Sequence, residues 1–192
     1  MQKVSLAILA GGKSSRLGGI DKALITVDGI PLISRIYNTF RAEVSEVIVI
    51  SNSNRTYPVD APIFPDKILN CGPLGGIHSA LTNAASSLVL IVSVDMPFAS
   101  KDIFQQLLNI YQQSNAEVVV PKHGDFLEPL FGLYSKTLVS RINSILSDKQ
   151  GHPITELLSQ SNTQYLELPD DFQTRMWFYN INTPDDLKAL EL

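Results

Sequence analysis

Two groups of side chains in this sequence carry charge where a core has no use for it. The first follows the apolar run Val4-Ser5-Leu6-Ala7-Ile8. There the stretch LAGGKSSRLGGIDKAL, residues 9–24, sets Lys13, Arg16 and Lys22 among Gly11, Gly12, Gly18 and Gly19. Glycine-rich backbone turning from a strand toward a helix offers several N–H groups in one concave nest, which suits phosphate oxygens. Three cations beside such a nest match the charge of a triphosphate. A flexible surface turn with solvated charges accounts for the same glycine and lysine counts, and composition alone does not separate the two. Two familiar phosphate motifs fail on spacing: a P-loop ending in Gly12-Lys13-Ser14 needs glycine where Ala7 stands, and a dinucleotide fingerprint from Gly11 needs glycine where Lys13 stands.

The second group is carboxylates and amides at the ends of apolar runs. Asp95 follows LVLIVSV directly, so it leaves the carboxyl end of a buried strand. A lone carboxylate facing a polyphosphate is suited to Mg²⁺, which keeps several waters and takes one or two protein carboxylates beside phosphate oxygens. The competing role is a cap on the turn into Met96-Pro97. Asp66 stands before the second glycine block, CGPLGG, either at a ligand or as a turn aspartate next to Pro65. Asn52, in VIVISNSNR, carries an amide that both donates and accepts, as a purine edge or ribose requires; a loop-tip asparagine is the alternative. Gly72, Pro73, Gly75 and Gly76 permit close backbone approach to a sugar or base, or tight helix–strand packing. Asn180 and Asn182, in NINT, alternate so that both would face one side of a strand, with a helix cap as the other reading. His78, His123 and His152 are scattered and Cys71 is the single cysteine, so no zinc spacing is present in the sequence.

These residues need a scaffold, and the hydrophobic pattern supplies one. Val4–Leu9, Val47–Ile50, Leu88–Val94 and Val118–Val120 are short aliphatic runs of the kind buried on both faces of a parallel sheet. Between them, Leu32, Ile33, Ile36, Tyr37 and Phe40 recur at helical spacing, as do Ile77, Ala80, Leu81 and Ala84, and then Ile103, Phe104, Leu107, Leu108 and Tyr111, with Ser100 as N-cap. The alternation predicts an α/β sandwich with helices on both faces of the sheet. Beyond Pro121 it predicts a strand at Phe131–Tyr134, a helix from Lys136 to Leu146, a mixed sheet edge and a closing helix in TPDDLKAL, capped by Thr183 with Pro184 at its first position. Ligands of open α/β sheets bind outside the carboxyl ends of the strands, which selects the loops after residues 9, 50 and 94.

The 192 residues suit one domain with a substantial core. A net charge of −4 argues against bulk attraction to nucleic acid, so phosphate binding must be local. No run approaches the length of a membrane span, and Val4–Ala10 lacks the cleavage-like site of a signal peptide. With one cysteine, these features point to the cytoplasm and to no membrane partner.

The loop LAGGKSSRLGGIDKAL resembles the signature of the nucleotidyltransferases similar to molybdenum cofactor guanylyltransferase, LAGG-x-S-x-R-[ML]-G-G-x-D-K. The resemblance continues in order through GIPLISRI, CGPLGGIHSAL, VSVDMPF and FYNINTPDDL, and so covers nearly the whole chain. It implies a Rossmann-like three-layer α/β sandwich with a mostly parallel, mixed-edge sheet of the nucleotide-diphospho-sugar transferase type. It implies one nucleotidyltransferase domain over 1–192, with a nucleotide-binding part over about 1–100 and an acceptor-binding part over about 101–192. The implied reaction moves GMP from GTP to the terminal phosphate of molybdopterin and releases pyrophosphate, with Mg²⁺ held by Asp95. Lys22, Arg16 and Asp95 would be catalytic, and Leu9, Ala10, Gly11, Gly12, Lys22, Asn52, Asp66 and Asp95 would contact the nucleotide. Asn180 and Asn182 would lie toward the acceptor, and molybdenum-cofactor-handling proteins would be transient partners. One departure falls in LSDKQGHPITELL, where many relatives carry an arginine pair and this chain has only Lys149 and His152. A cytidylyltransferase, another small-molecule nucleotidyltransferase and a nucleotide-binding module without turnover are the alternatives. The G-G-x-D-K spacing favours GTP, and Lys22 together with Asp95 favours turnover.

Overall fold

The structure, a computed structural model, describes residues 2–11 and 21–190. Gly12, Lys13, Arg16, Gly18 and Gly19 lie outside the described residues. The strands are β1 (Val4–Leu9), β2 (Thr26–Val27), β3 (Ile30–Pro31), β4 (Glu46–Ile50), β5 (Ile63–Phe64), β6 (Leu88–Ser93), β7 (Val118–His123), β8 (Phe126–Leu127), β9 (Phe131–Ser135) and β10 (Thr163–Leu168). The main sheet runs β10-β7-β9-β6-β1-β4-β5, with β8 paired to β7, while β2 and β3 form a separate hairpin. β1 is parallel to β4 and β6, β4 to β5, and β10 to β7; β9 is antiparallel to both β6 and β7. β7 therefore points the same way as β6, and the carboxyl ends of β1, β4, β6, β7 and β10 share one edge. The antiparallel β9 is interior, flanked by β6 and β7, and the outermost β10 is parallel again.

The helices are α1 (Leu32–Phe40), α2 (Gly72–Asn83), α3 (Lys101–Gln113), α4 (Val139–Ile145), α5 (Ile154–Ser159), α6 (Phe172–Trp177) and α7 (Pro184–Lys188). Alternation along β1 separates two cores. Leu6 and Ile8 pack with Ile33, Ile36 and Phe40 of α1 and Phe104 and Leu107 of α3. Ala7 and Leu9 pack with Leu74, Ile77 and Leu81 of α2, Ile142 of α4 and Leu157 of α5. The sheet is thus the middle layer of three, as its doubly apolar strands require. α2 buries every residue from Leu74 to Leu81 because the sheet lies on one side of it and α4 on the other. That double burial takes in His78, whose imidazole Nδ1 has no hydrogen-bond partner among the described residues.

Local signals place the boundaries. The Ser100 side chain accepts from the Asp102 N–H at the start of α3. Thr183 and Asp186 form a reciprocal capping box on α7, with Pro184 in its first turn. The predicted helix from Lys136 begins and ends in 3-10 turns, with α-helix only over Val139–Ile145. Strand β10 and helices α5 and α6 have no counterpart in the sequence-based expectation. Residues 178–183 form no strand, which corrects the reading of NINT as alternating strand positions. The physical reason is the capping box: the Asn182 and Thr183 N–H groups both donate to Asp186 Oδ2, leaving neither for a neighbouring strand.

Candidate active site

The carboxyl edge of the sheet gathers the predicted residues into two clusters. Asp21 builds the first. Its Oδ1 accepts from the Ala23 N–H at 3.0 Å, which starts the 3-10 turn Lys22–Leu24. Its Oδ2 accepts from the Tyr57 hydroxyl at 2.9 Å, and that hydroxyl also pairs with Ser51 Oγ at 2.9 Å. Burial, the larger influence, raises the Tyr57 pKa, so this phenol stays a donor. The turn is thereby fixed, and Lys22 is aimed inward.

Lys22 Nζ donates to Asp95 Oδ2 at 3.1 Å and to Asn182 Oδ1 at 2.7 Å. These contacts join positions 73 and 160 residues apart in the chain. Side-chain exposures of 23% for Lys22 and 16% for Asp95 put the pair in a partly desolvated setting, where a charge contact is screened less than on open surface. Ser93 Oγ donates to Asp95 Oδ1 at 2.5 Å. The Ile181 N–H donates to the Asp95 carbonyl at 3.0 Å, so the segment carrying Asn182 is hung on the residue it faces. Asn180 does not join the cluster: its amide donates to the Phe178 carbonyl at 2.9 Å.

The second cluster is a reciprocal pair. Asn52 Nδ2 donates to Asp66 Oδ2 at 2.8 Å, and the Asp66 N–H donates to Asn52 Oδ1 at 2.8 Å. The other Asp66 oxygen, Oδ1, is buried without a hydrogen-bond partner among the described residues. A buried acceptor left unpaired carries a cost of about 1–3 kcal/mol, more when charged, which a ligand donor would relieve. Beside the Asn52–Asp66 pair opens a cavity of about 570 Å³ lined by Leu9, Gly11, Asn52, Asp66, Gly76 and Ser93, among others. Its size is that of a small-molecule site. Ser93 links the clusters, since it lines the cavity and holds Asp95. Gly76 stands beside Asp66 in the cavity wall, where a Cβ would lie at ordinary contact distance, 3.9 Å from Oδ1 and 3.5 Å from Leu9 Cδ1. Gly72 opens α2 at φ 60°, in the left-handed region that favours glycine.

Of the predicted site residues, Lys22, Asp95 and Asn182 meet directly, Asn52 pairs with Asp66, and Leu9 and Gly11 line the cavity. Ala10 is buried at the end of β1, its N–H donating to the Ile50 carbonyl. Gly12 and Arg16 lie outside the described residues. The sequence reading missed Ser93 and the Tyr57–Asp21 contact. A signal for Ser93 was present, because two residues apart on an extended chain the hydroxyl and the Asp95 carboxylate share a face.

A mostly parallel sheet whose carboxyl edge sets a lysine against a strand-end carboxylate, beside a cavity with an unpaired carboxylate oxygen, has the layout of an α/β ligand-binding enzyme. Comparison with known proteins narrows the class: the chain belongs to the MobA-like NTP transferase domain family, whose model matches residues 6–164. Molybdenum cofactor guanylyltransferase of Vibrio vulnificus (strain YJ016) is 32% identical over 185 residues, covering 95% of this chain and 92% of the relative. A probable molybdenum cofactor guanylyltransferase of Clostridium perfringens (strain 13 / Type A) is 34% identical over 195 residues, covering 99% and 97%. Among solved structures, molybdopterin-guanine dinucleotide biosynthesis protein A from Archaeoglobus fulgidus shares the fold with TM-score 0.81 at 24% identity, covering 97% of this chain and 96% of that one. The 2-C-methyl-D-erythritol 4-phosphate cytidylyltransferase of Thermus thermophilus shares it with TM-score 0.70 at 20% identity, covering 99% and 98%. No helix among the described residues is long and apolar enough to cross a membrane.

Proposed function

We infer that this enzyme transfers GMP from GTP to the terminal phosphate of molybdopterin, releasing pyrophosphate. The Vibrio and Clostridium relatives are named molybdenum cofactor guanylyltransferases, which supports this reading. The observation in this chain that carries it is Lys22 held between Asp95 and Asn182, with Asp95 joined to the cavity through Ser93. The base and ribose of GTP occupy the cavity beside Asn52 and Asp66, where Asp66 Oδ1 awaits a donor. Leu9, Ala10 and Gly11 face the triphosphate, and the same role is proposed for Gly12 and Arg16, which lie outside the described residues. The acceptor lies toward Asn182 and the half of the chain after about residue 100, while the half before it binds the nucleotide.

The acceptor phosphate needs little activation, because a phosphate monoester with a second pKa near 6 is largely dianionic at neutral pH. The barrier lies in bringing one anion against another. Lys22 neutralises charge as it builds on the α-phosphate, and its two partners hold the ammonium in place beforehand, so little reorganisation is needed in the transition state. Asn182 fixes the same ammonium from the acceptor side, and Ser93 fixes the carboxylate.

Asp95 fits a Mg²⁺ ion: a carboxylate has about four lone-pair sites, and Ser93 and Lys22 occupy two of them. When bound, the metal supplies Lewis-acid stabilisation of the phosphoryl oxygens. The same reading extends to the cytoplasm as the site of reaction, consistent with a single thiol, and to transient contact with proteins that handle the cofactor. The experiment is pyrophosphate release with Mg²⁺ across GTP, CTP, ATP and UTP, with and without molybdopterin. Release from GTP that depends on molybdopterin is expected. Preference for CTP, or release that ignores the acceptor, overturns the assignment.

A further inference from the structure

The acceptor half holds a second constellation, centred on His123 at the end of β7. Its buried ring stacks with two phenyl rings, Phe178 at 5.6 Å and 6° and Phe126 at 5.5 Å and 29°. His123 Nε2 lies 3.1 Å from Glu128 Oε1, and Nδ1 lies 3.3 Å from Asp170 Oδ1. Arg175 donates to both Asp170 oxygens, from Nε at 2.8 Å and from Nη2 at 2.7 Å. Burial pushes the Glu128 carboxyl up, against the pull of His123. Four segments therefore close on one imidazole and fix the plane of its ring: β7, the β7–β8 hairpin with its following loop, the turn after β10, and the residue after α6. A ring that merely filled space would need no such framework, since an apolar side chain of similar shape avoids the cost of burying polar groups.

The stack is closed at its inner end and open at its outer one. Phe178 is buried against Phe131, whereas Phe126 is 59% exposed. The outer ring also stands on the catalytic edge. β7 runs parallel to β6 with only β9 between them, so the ends of the two strands are two interstrand spacings apart, about 10 Å. That is the reach of a fused ring system carrying its phosphate on a short arm. The inner ring, Phe178, lies four residues before Asn182, which holds Lys22.

We propose that the free face of Phe126, backed by His123, is the stacking platform for the fused heterocycle of the acceptor, with its phosphate at Lys22 and Asp95. His123 acts through Phe126 as a positioning residue. The proposal rests on the reading that the acceptor is molybdopterin, whose pterin is reduced but keeps one planar, conjugated aminopyrimidinone ring that can stack. Stacking accepts any such ring, and a single ring–aromatic stack removed by alanine costs about tenfold or more in affinity.

Three forms of the full chain test it: wild type, Phe126→Ala and Phe126→Trp. Phe126→Ala is expected to raise the KM for molybdopterin about tenfold while leaving the Kd for GTP unchanged, and Phe126→Trp is expected to restore the KM. Molybdopterin alone should also quench the indole emission of the Phe126→Trp protein beyond the quenching of Trp177 in wild type. An unchanged molybdopterin KM in Phe126→Ala, or a GTP Kd that rises with it, overturns the platform. If wild type transfers nothing to molybdopterin, the functional reading fails, and the quenching experiment still decides whether the ring stacks on residue 126.

Discussion

On the β1–β4–β6 side of the sheet, the strands are all parallel and end level with one another. The residues that matter there are few and small: Gly11, Gly76, Asn52, Asp66 and Ser93 around a cavity that side chains do not fill. On the β7–β9–β10 side, an antiparallel strand is threaded between parallel ones. The same edge is there packed with rings and ion pairs: His123, Phe126, Phe178, Glu128, Asp170 and Arg175. One side leaves an open recess, and the other is filled by bulky side chains. On the proposed division of nucleotide and acceptor between the two sides, the parallel strand ends give the recess, and the inserted antiparallel strand with its hairpin gives the ring-lined, raised flank.

The comparison makes a separable forecast, in which changes on the recessed side alter nucleotide chemistry and changes on the raised side alter stability or acceptor use. Asp95→Asn should have the largest effect. It keeps the shape but removes the charge facing Lys22 and the proposed metal, so kcat for pyrophosphate release should fall about 10³-fold with the melting temperature little changed. A kcat near wild type would remove Asp95 from the chemistry. Asp66→Ala should come next, since a hydrogen bond to a charged group is worth about 1.5–3 kcal/mol, or about 10- to 100-fold in the GTP Kd measured by calorimetry. An unaltered Kd would place the base elsewhere.

On the raised side, Gly132→Ala should act on the fold. The new Cβ would stand 2.7 Å from Val120 Cγ1 and 3.1 Å from the Val119 carbonyl, deep between β9 and β7. Overpacking of this kind costs about 1–3 kcal/mol, visible as a lower denaturation midpoint, while GTP affinity per folded molecule should hold. Loss of nucleotide affinity in the folded protein would break the division between the sides. The smallest effect concerns acid. The Arg175 guanidinium, then His123, holds Asp170 down at about 2, below its ordinary 3.8. As pH falls the unfolded chain takes up this proton first, so the contribution to stability is present above 3.8 and is lost toward 2. Asp170→Asn should flatten the stability–pH slope in that window, and an identical slope in both proteins would show that the pair contributes nothing.

The recessed side is far more legible in the sequence than the raised one. Doubly apolar runs announce β1, β4 and β6, and the loops after β4 and β6 carry polar residues with no role in a core, so Asn52 and Asp95 stand out one at a time. β10 escapes because TQYLEL is an edge strand with one face largely in water, and its polar residues mask the strand period. α5 and α6 escape because six residues hold too few turns for a helical period to emerge. In sequence His123 is one of three scattered histidines: only Phe126 and Glu128 are near it in the chain, while Asp170 stands 47 residues away and Phe178 farther still. Asn180 and Asn182 look equivalent by spacing, and only the capping box on α7 decides that one reaches Lys22 and the other turns back.

The contact between Lys22 and Asn182 also makes the site sensitive to local opening. The two residues stand 160 positions apart, and the Asn182 segment is fastened to the sheet by the Ile181 N–H on the Asp95 carbonyl. Release of that segment, with the sheet intact, would leave the ammonium held by Asp95 alone among the described residues.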